Sequence, residues 1–149
     1  MKIFLVWSAS IGLFLFHTTI AYCQSGNDPR QVIERMLEKG LIEGHDSKVI
    51  GPMGDAASVT LTKVLAARNL RSEDIDTGLW ILAQAFADPH MIPNAADREP
   101  RTAHLLLRYF EFSTTDPQLK QRIGETGKYI DEKCAAHDEP CRDRSRSSQ

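Results

Sequence analysis

The stretch 72–86, SEDIDTGLWILAQAF, decides the fold. Ile75, Leu79, Leu82 and Phe86 stand at relative positions 0, 4, 7 and 11, the spacing that lines one face of an α-helix. The second half, LWILAQAF (79–86), is apolar on nearly every side, so this helix is expected to lie between others rather than on the outside. Ser72 is the expected cap and Pro89 the stop after Ala87. Trp80 sits about 100 degrees from the main stripe. It belongs to the core or, if exposed, is the best single anchor for a partner, because tryptophan dominates interface hot spots.

Working outward, the same spacing recurs. Leu119, Ile123, Thr126 and Ile130 repeat the Ile75 pattern 44 residues later, and Leu106, Tyr109 and Phe110 repeat Leu61, Val64 and Leu65 after 45 residues. Helices are therefore predicted from Asp55 to about Arg68, from Glu73 to Ala87, from Pro100 to about Phe112, and after Asp116-Pro117 to about Ala135. An earlier helix opens at Asp28-Pro29, where Asp28 caps and Gln31 completes a capping box. It carries Val32, Ile33, Met36 and Leu37 on one face and ends at Gly40. Residues 41–54, with Gly44, Gly51, Pro52 and Gly54, read as a loop containing a short extended piece at Lys48 to Ile50. The expected class is all-α, about five helices: two consecutive helical hairpins plus an N-terminal helix, with a compact bundle as the alternative that the same faces allow.

A period of this length with two helices per unit resembles HEAT and armadillo-type repeats. The stretches DREPRTAHLLL (97–107) and STTDPQLKQRI (113–123) are similar to the Asp/Pro-then-basic openings of HEAT helices, with Arg101 and Lys120 at the basic positions. The resemblance covers residues 55–135. It implies a fold whose relatives mostly bind other macromolecules, and it brings no catalytic residues with it.

The ends speak to compartment. Met1 and Lys2 precede an apolar run from Ile3 to Phe16, the layout of a secretory leader over residues 1–23. That leaves a single helical domain at 24–141 and, in RDRSRSSQ (142–149), a polar tail expected to be disordered. The protein is thus expected outside the cytoplasm, periplasmic or secreted. Cys23 is removed with the leader, or serves as a lipid acceptor, although Tyr22 is bulky for that role. Contact with a membrane follows only if the leader is retained or Cys23 is lipidated. Cys134 and Cys141 then form an even pair, and an oxidising compartment favours one local disulfide. Seven residues of continuous helix would hold their Cα atoms about 10 Å apart, so the helix must end between them, and Pro140 supplies the break. A metal reading of Cys134, His137, Asp138 and Cys141 matches no standard zinc spacing.

With 18 basic and 20 acidic residues the chain carries a net charge of −2, and loss of the leader removes one lysine and no acid. No basic footprint for nucleic acid exists. Sites for chemistry are sparse. Asp88, His90 and Asp97 fall in the loop between the two hairpins, and His45 in the earlier loop. Together they are candidates for general acid-base work, although the same residues are ordinary loop formers. No HExxH helix, GxSxG elbow or phosphate-binding glycine loop occurs, and no metal or cofactor is implied. Gly124 and Gly127 share one helix face, and together with Gly78 they suggest the close approach of a neighbouring helix or of a partner's. The function expected is an exported protein-interaction or scaffold module with an unidentified protein partner. The alternative is a small extracytoplasmic hydrolase or metal-dependent enzyme built on Asp88, His90, Asp97 or His45.

Overall fold

The computed structural model describes residues 28–40 and 43–137. Six α-helices follow in order: α1 Pro29–Lys39, α2 Asp46–Ile50, α3 Asp55–Leu65, α4 Ser72–Ala85, α5 Arg101–Ser113 and α6 Pro117–His137. Two single 3-10 turns, Pro89–Met91 and Ala95–Arg98, lie between α4 and α5, and no strand occurs among the described residues. The stretch 1–23 read as a leader, Cys23 included, lies outside the described residues, as do Cys141 and residues 142–149.

Local chemistry sets the starts of α1, α4 and α6. The Asp28 carboxylate accepts from the Arg30 N–H at 3.1 Å, Pro29 takes the first helical position, and Gly40 closes α1 in the left-handed conformation with its N–H on the Met36 carbonyl. Two expectations are corrected. Residues 48–50 are helical, not extended. Ile50 is fully buried and Asp46 holds the turn, accepting from the Glu43 N–H at 2.8 Å and pairing with Arg35 of α1. The glycines at 44, 51 and 54 signalled a loop, but burial of Ile50 decides the outcome. At α4 the cap is Arg71, not Ser72, which is the first helical residue. Asp74 reaches back to the Arg71 N–H at 3.0 Å and also accepts two bonds from its guanidinium.

Asp74 has no solvent exposure. Burial works to raise its pKa. The bonds from the Arg71 side chain and backbone and the positive charge of Arg68 outweigh that, so the net effect is to lower it. A lowered carboxylate stabilises the fold above its ordinary pKa, and that stability is lost as pH falls through the folded value. Asp74→Asn is therefore expected to lose about 1–2 kcal/mol at pH 7, with the deficit relative to wild type shrinking as pH falls below the ordinary carboxylate range. Urea unfolding of both proteins across pH 2–7 checks this.

The helices pack in two layers. The side-by-side contacts of α1 with α3 and α3 with α5 make one layer, and those of α2 with α4 and α4 with α6 make the other. Each odd helix packs on the even helix that follows it, so α1 and α2 form a short first pair before the two long ones. Between the layers lie Ile33, Met36, Leu61, Ile75, Leu79, Leu82, Phe86, Phe110, Leu119, Ile123 and Ile130, all buried. Each contributes about 1.5–3 kcal/mol of transfer energy. Gly78 explains itself: a Cβ there would meet the buried Phe110 ring at 2.8 Å, so glycine lets α4 and α5 approach.

One polar joint fixes α5 onto α3. Asp55, the first residue of α3, accepts from the backbone N–H groups of Thr102 and Ala103 at 2.9 Å each, capping α5 from 47 and 48 residues away. Next to it Gly54 has φ +55°, and its backbone lies against the Asp97 carbonyl and Ile92.

Candidate functional site

The structure does not gather the residues proposed for chemistry. The Asp88 carboxylate accepts from the His90 backbone N–H at 3.1 Å, which starts the 3-10 turn Pro89–Met91. Asp97 accepts from the Asn94 side chain at 2.8 Å in the second turn. His45 belongs to a different cluster, its Nδ1 3.4 Å from Glu43 and its Nε2 3.4 Å from the buried Asp46. Among the described residues no group of three His, Cys, Asp or Glu side chains could hold a metal ion. Asp88 does line a hollow of about 230 Å³ with Ser47, Lys48, Gln84 and Met91, but His90 and Asp97 are not part of its wall.

Trp80 is partly buried and packed against the core. Among the described residues a Cβ on Gly127 would meet only the Leu107 side chain, at the ordinary contact distance of 3.6 Å, and a Cβ on Gly124 would have nothing within 4 Å. Among the described residues no close helix approach accounts for Gly124. Gly124→Ala is accordingly expected to raise stability by about 0.5–1 kcal/mol, the helix propensity difference. A loss in thermal unfolding would contradict this. Cys134 is partly buried with its Sγ 3.6 Å from the Arg98 carbonyl oxygen, while its predicted partner Cys141 lies outside the described residues.

The feature that stands out is apolar. On α5, Leu105, Tyr109 and Phe112 are 66%, 51% and 88% exposed, and Val59 of α3 is 37% exposed. Between the two helices runs a groove of about 310 Å³ lined by Thr62, Leu65, Ala66, Leu105, Leu106 and Tyr109, with Thr102 at one end. Large apolar residues gathered on one face mark interaction surfaces, whereas scattered ones need no explanation.

Local sequence accounts for this face. In HLLLRYFEF (104–112) three leucines follow one another, and at 100 degrees per residue they span too wide an arc for one-sided packing. Leu106, Leu107 and Phe110 turn into the core, which leaves Leu105, Tyr109 and Phe112 outside, spaced by 4 and 3 residues. Sequence reasoning missed them because Tyr109 shares its repeat position with Val64, which is buried. The crowding of apolar residues in 104–112 was the available signal.

Three exposed basic residues and one exposed acid, Glu99, stand beside the apolar stripe. Lys63 stands one turn after Val59, and Arg101 and Arg108 flank Leu105 on the solvent side of α5; all three are exposed. Arg101 is paired with Glu99. Among the described residues Lys63 and Arg108 have no carboxylate within salt-bridge distance. The only acid of α3, Asp55, is engaged in capping α5, and Glu111, the only acid of α5, stands about 120 degrees round the helix from Leu105 and about 60 degrees from Arg108.

No described helix is long and apolar enough to cross a membrane. Comparison of the chain with protein-family models, with curated proteins and with solved structures finds no match.

Proposed function

We propose that this chain is an exported helical interaction module that docks another protein on the outer face of α3 and α5. The observation supporting the reading is the row Leu105, Tyr109 and Phe112 beside a preformed groove, in a molecule whose ionisable loop residues are engaged in capping and local pairing. Burying about 1.5–3 kcal/mol worth of apolar surface per side chain gives such a face a strong tendency to be covered. The pairs α1/α2, α3/α4 and α5/α6 are read as a short stack of helical hairpins, a design that presents extended surfaces to partners.

The test is site-resolved photocrosslinking in the native host. A benzoylphenylalanine at position 112 is expected to give a discrete adduct with another protein, and the same group at Glu73, exposed on α4, to give none. Equal yields at both positions, or no adduct at 112, would contradict the proposal. Intact mass of the same material reports the leader: the expected mass lacks Met1 to Cys23, and a mass that retains them contradicts the exported, leader-free form.

A further inference from the structure

We infer that the α3/α5 groove takes an amphipathic helix whose flanks are acidic. The inference rests on the interaction-module reading and goes further by fixing the chemistry of the partner.

Shape comes first. The groove lies between two neighbouring helices of one layer, where a third helix seats its side chains as ridges into grooves. Its α5 wall runs from Thr102 to Tyr109, about 12 Å at 1.5 Å per residue, enough for about two turns of a partner. Leu105, Tyr109 and Phe112 are spaced for contact with a helix carrying apolar residues at i, i+4 and i+7. Phe112, the most exposed, stands as a projecting ring that a partner's pocket would enclose.

Charge then selects among occupants. Lys63 and Arg108 border the apolar stripe with no carboxylate within salt-bridge distance among the described residues, while Arg101 is paired with Glu99. This is a local excess of positive charge on a chain whose net charge is negative. A second copy docking by the same face would bring the same cations to both sides of the interface, because a two-fold interface uses the same patch twice. Acidic residues on the flanks of an incoming helix would instead meet Lys63 and Arg108, steering its approach and fixing its register. An anionic bilayer would satisfy the same charges, but a flat surface would meet the α5 ridge and leave the hollow between Thr62, Ala66 and Tyr109 unfilled.

Selection from a randomised library of displayed amphipathic helices tests this, using the full chain as exported by its host. Enriched peptides are expected to carry net negative charge around an apolar stripe. They should bind wild type at least tenfold tighter than Leu105→Asp, and weaken as salt rises from 50 to 500 mM. In Lys63→Glu/Arg108→Glu, which changes exposed charges only, the preference should invert towards basic helices. Circular dichroism identical to wild type certifies each variant as folded.

Neutral or basic winners, no enrichment over the Leu105→Asp control, or a dimer by sedimentation would each overturn the inference. So would binding to vesicles of phosphatidylcholine and phosphatidylglycerol that Leu105→Asp abolishes. A Phe112 crosslink in the host together with charge-blind selection would retain the interaction module and end the acidic-partner inference. Loss of the crosslink as well would end both.

Discussion

Gly54→Ala is expected to lose about 3–5 kcal/mol of stability, a large fraction of the 5–15 kcal/mol typical of a whole domain. Two causes add. At φ +55° an L-residue adopts a conformation worth about 1–2 kcal/mol of strain. An added Cβ would also overlap the Asp97 carbonyl oxygen and come within 2.9 Å of Ile92 Cδ1 and 3.0 Å of the Asp97 carbonyl carbon. Ile92 is fully buried, and the Asp97 atoms belong to the backbone, so neither can give way cheaply. Urea unfolding measures the loss. A variant within 1 kcal/mol of wild type would show that the chain around Ile92 to Asp97 does not press on α3 as described.

Asp55→Ala is expected to lose about 3 kcal/mol. The carboxylate is nearly buried and accepts two backbone N–H groups in the first turn of α5, where a negative charge also suits the helix dipole. Hydrogen bonds to a charged group contribute about 1.5–3 kcal/mol each, and removing the acceptor leaves two donors without a partner. Asp55→Asn keeps one acceptor oxygen and should lose roughly half as much. Hydrogen exchange adds the spatial test: the N–H groups of Thr102 and Ala103 should become the most accelerated in α5. Uniform acceleration across all helices would instead indicate general loosening.

Both predictions concern a joint that the sequence did not disclose. Helix periodicity was legible: the stripes at Ile75, Leu79, Leu82 and Phe86, and at Leu119, Ile123 and Ile130, are buried as their spacing implied, and the class is all-α. Asp28-Pro29 and Asp116-Pro117 do start helices, because capping is decided within three residues. What was not legible depends on distant residues. Asp55 resembles an ordinary helix-opening acid until α5 arrives beside it. Residues 46–50 become helical because Asp46 and Ile50 find buried places against α1 and α4, which no local rule supplies.

The site followed the same division. Loop histidines and acids attracted attention as chemical types, yet Asp88 and Asp97 serve their own turns. Leu105 and Phe112 carry no special chemistry, and they matter only because Leu106, Leu107 and Phe110 occupy the inward face of α5. Exposure of a leucine is a property of the whole packing arrangement. Crowding in 104–112 hinted at it, but the pattern alone did not say which residues would be left outside.

The central claim is that the outer stripe of α5 belongs to a partner and not to the core of the folded chain. The stability of the double variant Leu105→Asp/Phe112→Asp tests it directly, by urea unfolding of the isolated full chain. Side chains already 66% and 88% exposed have little burial to lose, so the expected change is within about 0.5 kcal/mol. A loss of 2 kcal/mol or more would mean that another part of the chain covers the stripe, and the docking face would not exist.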